Sequence, residues 1–159
     1  MSYHDDESAL LLAKQNDTQQ EQAKQFQINK VSVHLPLKWG AFFATQAFIS
    51  VAAGAFGAHA LTDMLDPKAL GWWHTASQYL MYHALAGLAV VALSAYIPST
   101  KVILWLLIIG NVLFAGSLYV MALTGYTILG AVTPLGGLCY LIAWGILIWH
   151  LWRSSSHNS

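Results

Sequence analysis

Four runs of apolar residues dominate the chain, at 39–61, 76–97, 102–124 and 134–152, and none of them contains Asp, Glu, Lys or Arg. Each is close to the roughly 20 residues that a helix needs to cross the hydrocarbon of a bilayer. The breaks between them carry turn and cap chemistry. Asp66-Pro67 and Thr133-Pro134 each pair an N-cap residue with proline at the first helical position, and Pro98-Ser99-Thr100-Lys101 reads as a tight turn. Helix from Asp66 to Ile97 would run to roughly 46 Å, more than the hydrocarbon requires. The pattern therefore predicts a short interfacial helix, Pro67 to about Thr75 with Trp72 and Trp73 at the headgroups, ahead of the second span. The fold class expected is an all-α integral membrane bundle of four transmembrane helices.

The first 36 residues follow another pattern. Acidic and basic side chains are scattered among many glutamines, with only short apolar patches at Leu10–Leu12 and Ile28–Val33. Such a segment cannot build a packed core. The expectation is a polar, Gln-rich, disordered tail over 1–36, with at most a marginal helix around Ser8 to Phe26. Its acidic opening does not fit a secretory signal peptide. The transmembrane domain would occupy 37–153, and 154–159 would form a polar C-terminal tail.

Composition agrees with a lipid-solvated chain: 57% of residues are hydrophobic, 9% are charged, and the mean hydropathy is +0.52. A soluble domain of this size would have too little polar surface to cover itself. Seven Lys+Arg balance seven Asp+Glu, so charge gives no case for a nucleic-acid partner. The partners expected are the lipid bilayer, other membrane proteins or further copies of the chain. Lys24, Lys30, Lys38, Lys101 and Arg153 fall on one side of the predicted spans and Lys68 alone on the other, which places both termini in the cytoplasm. Cys139, the single cysteine, can form no internal disulfide.

Within the spans, small residues recur at helical spacing. Gln46, Ser50, Gly54, Gly57 and Ala58 form one narrow stripe on the first span, and Gly116, Pro134, Gly136 and Gly137 are further helix-packing candidates. Polar chemistry concentrates on the second span. At 100° per residue, His74, Gln78 and Tyr82 share one face, while Tyr79, His83 and Gly87 share another about 140° away. An imidazole in hydrocarbon needs a partner, and Gln46, Asn111, Ser117 and Tyr119 are the candidates for His83. The polar cluster expected to matter is thus His59, His74, Gln78, Tyr82, His83, Asn111, Ser117 and Tyr119. A neutral, hydrogen-bonded His83 that fixes helix register is the plainer role. The sharper one makes His59 and His83 ligands for a transition metal or haem, although no cysteine or carboxylate stands at ligand spacing inside the spans. No cofactor is predicted on the plainer reading.

Four ordered runs carry a family resemblance: GAFGAHAL (Gly54–Leu61), QYLMYHALAGLA (Gln78–Ala89), FAGSLYVMALTG (Phe114–Gly125) and VTPLGGL (Val132–Leu138). The chain resembles the YgdD-like bacterial membrane proteins, the domain-of-unknown-function 423 family, over about residues 38–150. The resemblance implies a small multi-span inner-membrane protein without an assigned activity, and marks His59, His83, Gly57, Gln78, Tyr82, Gly116, Ser117, Tyr119, Pro134 and Gly136 as motif positions. The long Gln-rich leader departs from the family's usual pattern. G-x-S-x-G, the phosphate-binding glycine loop and H-E-x-x-H are all missing from the sequence. The function expected is that of a non-catalytic membrane component, an accessory subunit or a self-associating bundle. The alternative is a minimal transport or redox unit working through its intramembrane histidines.

Overall fold

The computed structural model describes residues 14–22 and 37–155, and all regular elements among them are helical. Residues 14–22 form α1, exposed along its whole length and belonging to a unit separate from the helices that follow. It falls within the stretch where a marginal helix is expected; the rest of that tail, and the end of the chain beyond Ser155, lie outside the described residues.

The second unit is built from α2 (Leu37–His59), α3 (Pro67–Ala92), a composite third helix, a short 3-10 turn (Thr127–Ala131) and α6 (Thr133–Ser155). The third helix consists of α4 (Thr100–Gly110), a π-helical segment (Asn111–Gly116) and α5 (Ser117–Thr124). Local chemistry explains several boundaries. The Asp66 carboxylate accepts the Ala69 N–H at 2.8 Å with Pro67 in the first turn, so α3 starts at its predicted cap. Gly125 ends α5 in the left-handed region (φ 73°) and donates its N–H to the Met121 carbonyl, a position that a side chain would strain. Thr133 departs from its expected role: its hydroxyl pairs with Ser117 at 2.8 Å instead of capping α6.

Among the described residues, three stretches are long and apolar enough to cross a membrane, Leu37–His59, Thr100–Thr124 and Thr127–Ser154. The second of the four expected spans, within α3, is not among them. Its 26 residues suffice in length, but His74, Thr75, Ser77, Gln78 and His83 lower its apolar character. Nor does α3 divide into an interfacial helix and a separate span. It is one continuous helix that ends at Ala92, five residues short of the predicted Ile97.

Successive helices run antiparallel. Trp73 Nε1 donates to the Ala53 carbonyl and Ser50 to the Ser77 carbonyl, while Phe43 lies against Gly87, so α2 and α3 pair in opposite directions. His150 against Ser99 and Tyr140 against Gly110 set α6 antiparallel to α4 in the same way. One core cluster joins Phe43, Val90, Ile103, Leu104, Leu107 and Ala143; a second joins Ala76, Leu80, Ala115, Leu118 and Met121. The outer face of α6 is apolar, with Leu141 at 71% and Trp152 at 76% exposure, as a surface solvated by lipid requires.

Close helix approach is organised by glycines other than most of those expected. A Cβ on Gly136 would stand 2.5 Å from the Phe114 backbone nitrogen, so α6 meets the π-helical turn backbone to backbone. Gly57 makes room for the Trp73 ring, Gly87 for Phe43 and Gly110 for Tyr140. By contrast, Gly54 and Gly116 have nothing within 4 Å of a Cβ, Gly137 only ordinary contact with Phe114, and Ala58 and Pro134 are exposed. Gly54 and Gly116 thus mark no close approach inside this chain. Gly136→Ala is expected to lower stability in detergent by about 1–3 kcal/mol, because the opposing atoms are backbone and cannot swing away. Gly54→Ala should be neutral or stabilising by up to about 1 kcal/mol. Thermal unfolding of the two variants checks the contrast.

Candidate functional site

A polar interior in lipid must be satisfied by side chains from other helices, and three groups of hydrogen bonds do this. The central one is Gln46–Asn111–Tyr140. Asn111, 3% exposed at the first π-helical position, donates its amide to Gln46 Oε1 at 2.8 Å and accepts the Tyr140 hydroxyl on Oδ1 at 2.7 Å. One side chain thus ties α2, the third helix and α6 together. The second group stands toward the α2–α3 connection: Ser50 donates to the Ser77 carbonyl, the Ser77 and Tyr119 hydroxyls pair at 2.9 Å, and the Tyr119 ring meets Trp73 edge-on at 4.7 Å. The third is Ser117 with Thr133. Every buried side-chain nitrogen and oxygen among the described residues has a partner.

His83 is 6% exposed and meets none of its four expected partners. Its Nδ1 lies 2.8 Å from the Tyr79 carbonyl one turn earlier, and its ring stacks on Tyr140 with centroids 3.4 Å apart and planes 5° from parallel. A carbonyl can only accept, so Nδ1 carries the proton, and in the neutral ring Nε2 is left as an acceptor. Tyr79 in turn stacks on Phe114 at 4.5 Å. These rings border a groove of about 500 Å³ between α3, the π-helical segment and α6.

The eight polar candidates do not form one site. Asn111, Ser117, Tyr119 and His83 lie in the interior, whereas His59, His74, Gln78 and Tyr82 are exposed, with Gln78 and His74 paired to each other at 3.1 Å. The two predicted faces of α3 are real but face opposite ways. His59 and His83 are not brought together. The α2–α3 register sets His83 level with about Gln46, and His59 stands 13 residues further along α2, roughly 20 Å at the helical rise. One ion cannot take both as ligands, and no group of three or more His, Cys, Asp or Glu that could hold a metal occurs among the described residues. Sequence reasoning missed Tyr140, Ser77, Trp73 and Thr133. Tyr140 was discoverable, since a tyrosine one turn after Gly136 inside an apolar span needs a hydroxyl partner.

Apolar helices of spanning length around a satisfied polar interior define a small helical membrane protein. Residues 53–137 match the family described as "Protein of unknown function (DUF423)". The UPF0382 membrane protein YwdK of Bacillus subtilis is 48% identical over 109 residues, covering 66% of this chain and 88% of the relative. A UPF0382 membrane protein of Haemophilus influenzae is 41% identical over 75% of the chain and 97% of its own length, and the UPF0382 inner membrane protein YgdD of Escherichia coli 37% over 67% and 83%. The chain belongs to this DUF423 family of membrane proteins. No solved structure matches it.

Removing the centre of the polar network is expected to cost more than trimming its end. Tyr140→Phe keeps the stack on His83 and should cost about 0.6 kcal/mol, whereas Asn111→Leu strands both the Tyr140 hydroxyl and the Gln46 amide and should cost about 1–3 kcal/mol. Chemical or thermal unfolding in mild detergent reads the order; equal losses would contradict the hub role of Asn111.

Proposed function

We propose that this protein is a four-span, non-catalytic component of the bacterial inner membrane that works as a self-associating bundle or as an accessory subunit of a larger assembly, with both termini in the cytoplasm. The observation that carries this reading is the hydrogen-bonded interior: Asn111 with Gln46 and Tyr140, Ser77 with Tyr119, and Ser117 with Thr133 pair across helices. Polar residues used in this way are helix glue. Support for association comes from α2, where only Phe43 and Ser50 are buried. The Gly54 and Ala58 end of its small-residue stripe faces outward with space against it, a surface onto which another helix backbone can close. Support for a fourth span comes from α3, which runs antiparallel between two helices of spanning length and at 26 residues reaches about 39 Å. Its polar residues are tolerable in lipid to the extent that they face protein, as Ser77 and His83 do.

Two measurements test the proposal. Reporter fusions at Ser2 and Ser159 should report cytoplasm, and fusions near Asp66 and Ile128 the opposite side; a far-side C-terminus overturns the four-span topology. In mild detergent the chain should run as an assembly larger than one copy, and Gly54→Leu should dissolve that assembly without lowering the unfolding temperature of the single chain. A protein that is monomeric and partnerless before and after the substitution contradicts the association reading.

A further inference from the structure

Beside His83 lies a groove lined by residues of α3, the π-helical segment and α6. On α6 it is lined by the exposed Leu138 and Leu141, and it is bordered by the rings of Tyr79, Phe114 and Trp144. Gly137 lines it without a side chain, and a Cβ there would make only ordinary contact with the Phe114 ring, at 3.9 Å. At about 500 Å³ its volume falls within the range of roughly 300–1,000 Å³ usual for small-molecule sites. Its polar handle is His83, 94% buried by its 6% exposure, with Nδ1 committed to the Tyr79 carbonyl. Nε2 has no hydrogen-bond partner among the described residues, and His83 is one of the residues that line the groove. Tyr140 lies flat against the ring and holds its orientation.

This arrangement selects its occupant. An imidazole whose Nδ1–H is already donated presents a lone pair at Nε2, so it takes a hydrogen-bond donor and rejects a carbonyl. Aromatic walls favour a flat ring by stacking. A groove lined by exposed leucines suits a molecule that arrives from the lipid phase and leaves an apolar tail there. We propose that the groove binds the ring of a membrane hydroquinone, whose hydroxyl donates to His83 Nε2, in preference to the corresponding quinone. This goes beyond the bundle reading above and does not depend on it.

The test uses the full chain in phosphatidylethanolamine nanodiscs and a short-chain benzohydroquinone kept reduced by excess dithionite, with empty nanodiscs correcting for partition into lipid. Expected are saturable binding of the hydroquinone, a displaced ¹⁵N resonance of His83 Nε2, and binding weaker by about tenfold or more for the quinone and for the hydroquinone dimethyl ether. His83→Phe keeps a ring to stack on Tyr140 but lacks the acceptor, and should lose binding to the same extent. Gly137→Leu fills the groove and should abolish binding; it serves also if His83→Phe fails to fold. Equal binding of quinone and hydroquinone, equal binding of a straight-chain alcohol, indifference to the substitutions, or no saturable binding would each overturn the proposal.

Discussion

With no water in the hydrocarbon, each buried polar group must find a protein partner, and in this bundle that requirement converges on Asn111. Its amide uses both a donor and an acceptor across helices, toward Gln46 on α2 and Tyr140 on α6. The location is significant. Asn111 opens the π-helical segment, whose widened turn pushes Phe114 toward α6, and Gly136 is the residue that lets the two backbones meet. Tyr140, one turn beyond Gly136, then reaches Asn111 with its hydroxyl and His83 with its ring face. The orientation of His83, and the groove beside it, follow from that chain of contacts.

Much of the architecture was legible because lipid imposes simple rules. Charge-free apolar runs and the Asp66-Pro67 cap set the helices within a few residues of their observed ends. The family was legible as well, since its four motifs occur in order. What periodicity could not supply was the third dimension of the site. A count of 100° per residue found two polar faces on α3 but not which one turns inward, because His74, Gln78 and Tyr82 look as suited to burial as Tyr79 and His83. It also assumed an unbroken α-helix from 102 to 124, and nothing in NVLFAG announces a π turn. Glycines misled for a related reason. Gly54 sits in a regular stripe and touches nothing, while Gly57, Gly87 and Gly136 sit where one large ring or one backbone happens to arrive from another helix.

The lowered apolar character of α3 has the same origin as its central position. Ser77 and His83 are affordable there because neighbours on α2, α5 and α6 surround them, and the outward residues His74 and Gln78 satisfy each other. A helix rich in partners can be less apolar than one that is open over most of its surface within the chain, as α2 is with only two buried residues.

The π-helical segment has a consequence for how the third helix is to be compared with its relatives. One additional residue in a turn shifts the angular phase of everything after it by about 100°. Ile103, Leu104 and Leu107 before the segment and Leu118 and Met121 after it fall on one arc at 100° per residue, yet they enter different core clusters, the first three with Tyr140 and Ala143 of α6 and the last two with Ala76 and Leu80 of α3. A relative lacking one residue between 111 and 116 would have to rotate its α5 or change which residues it buries.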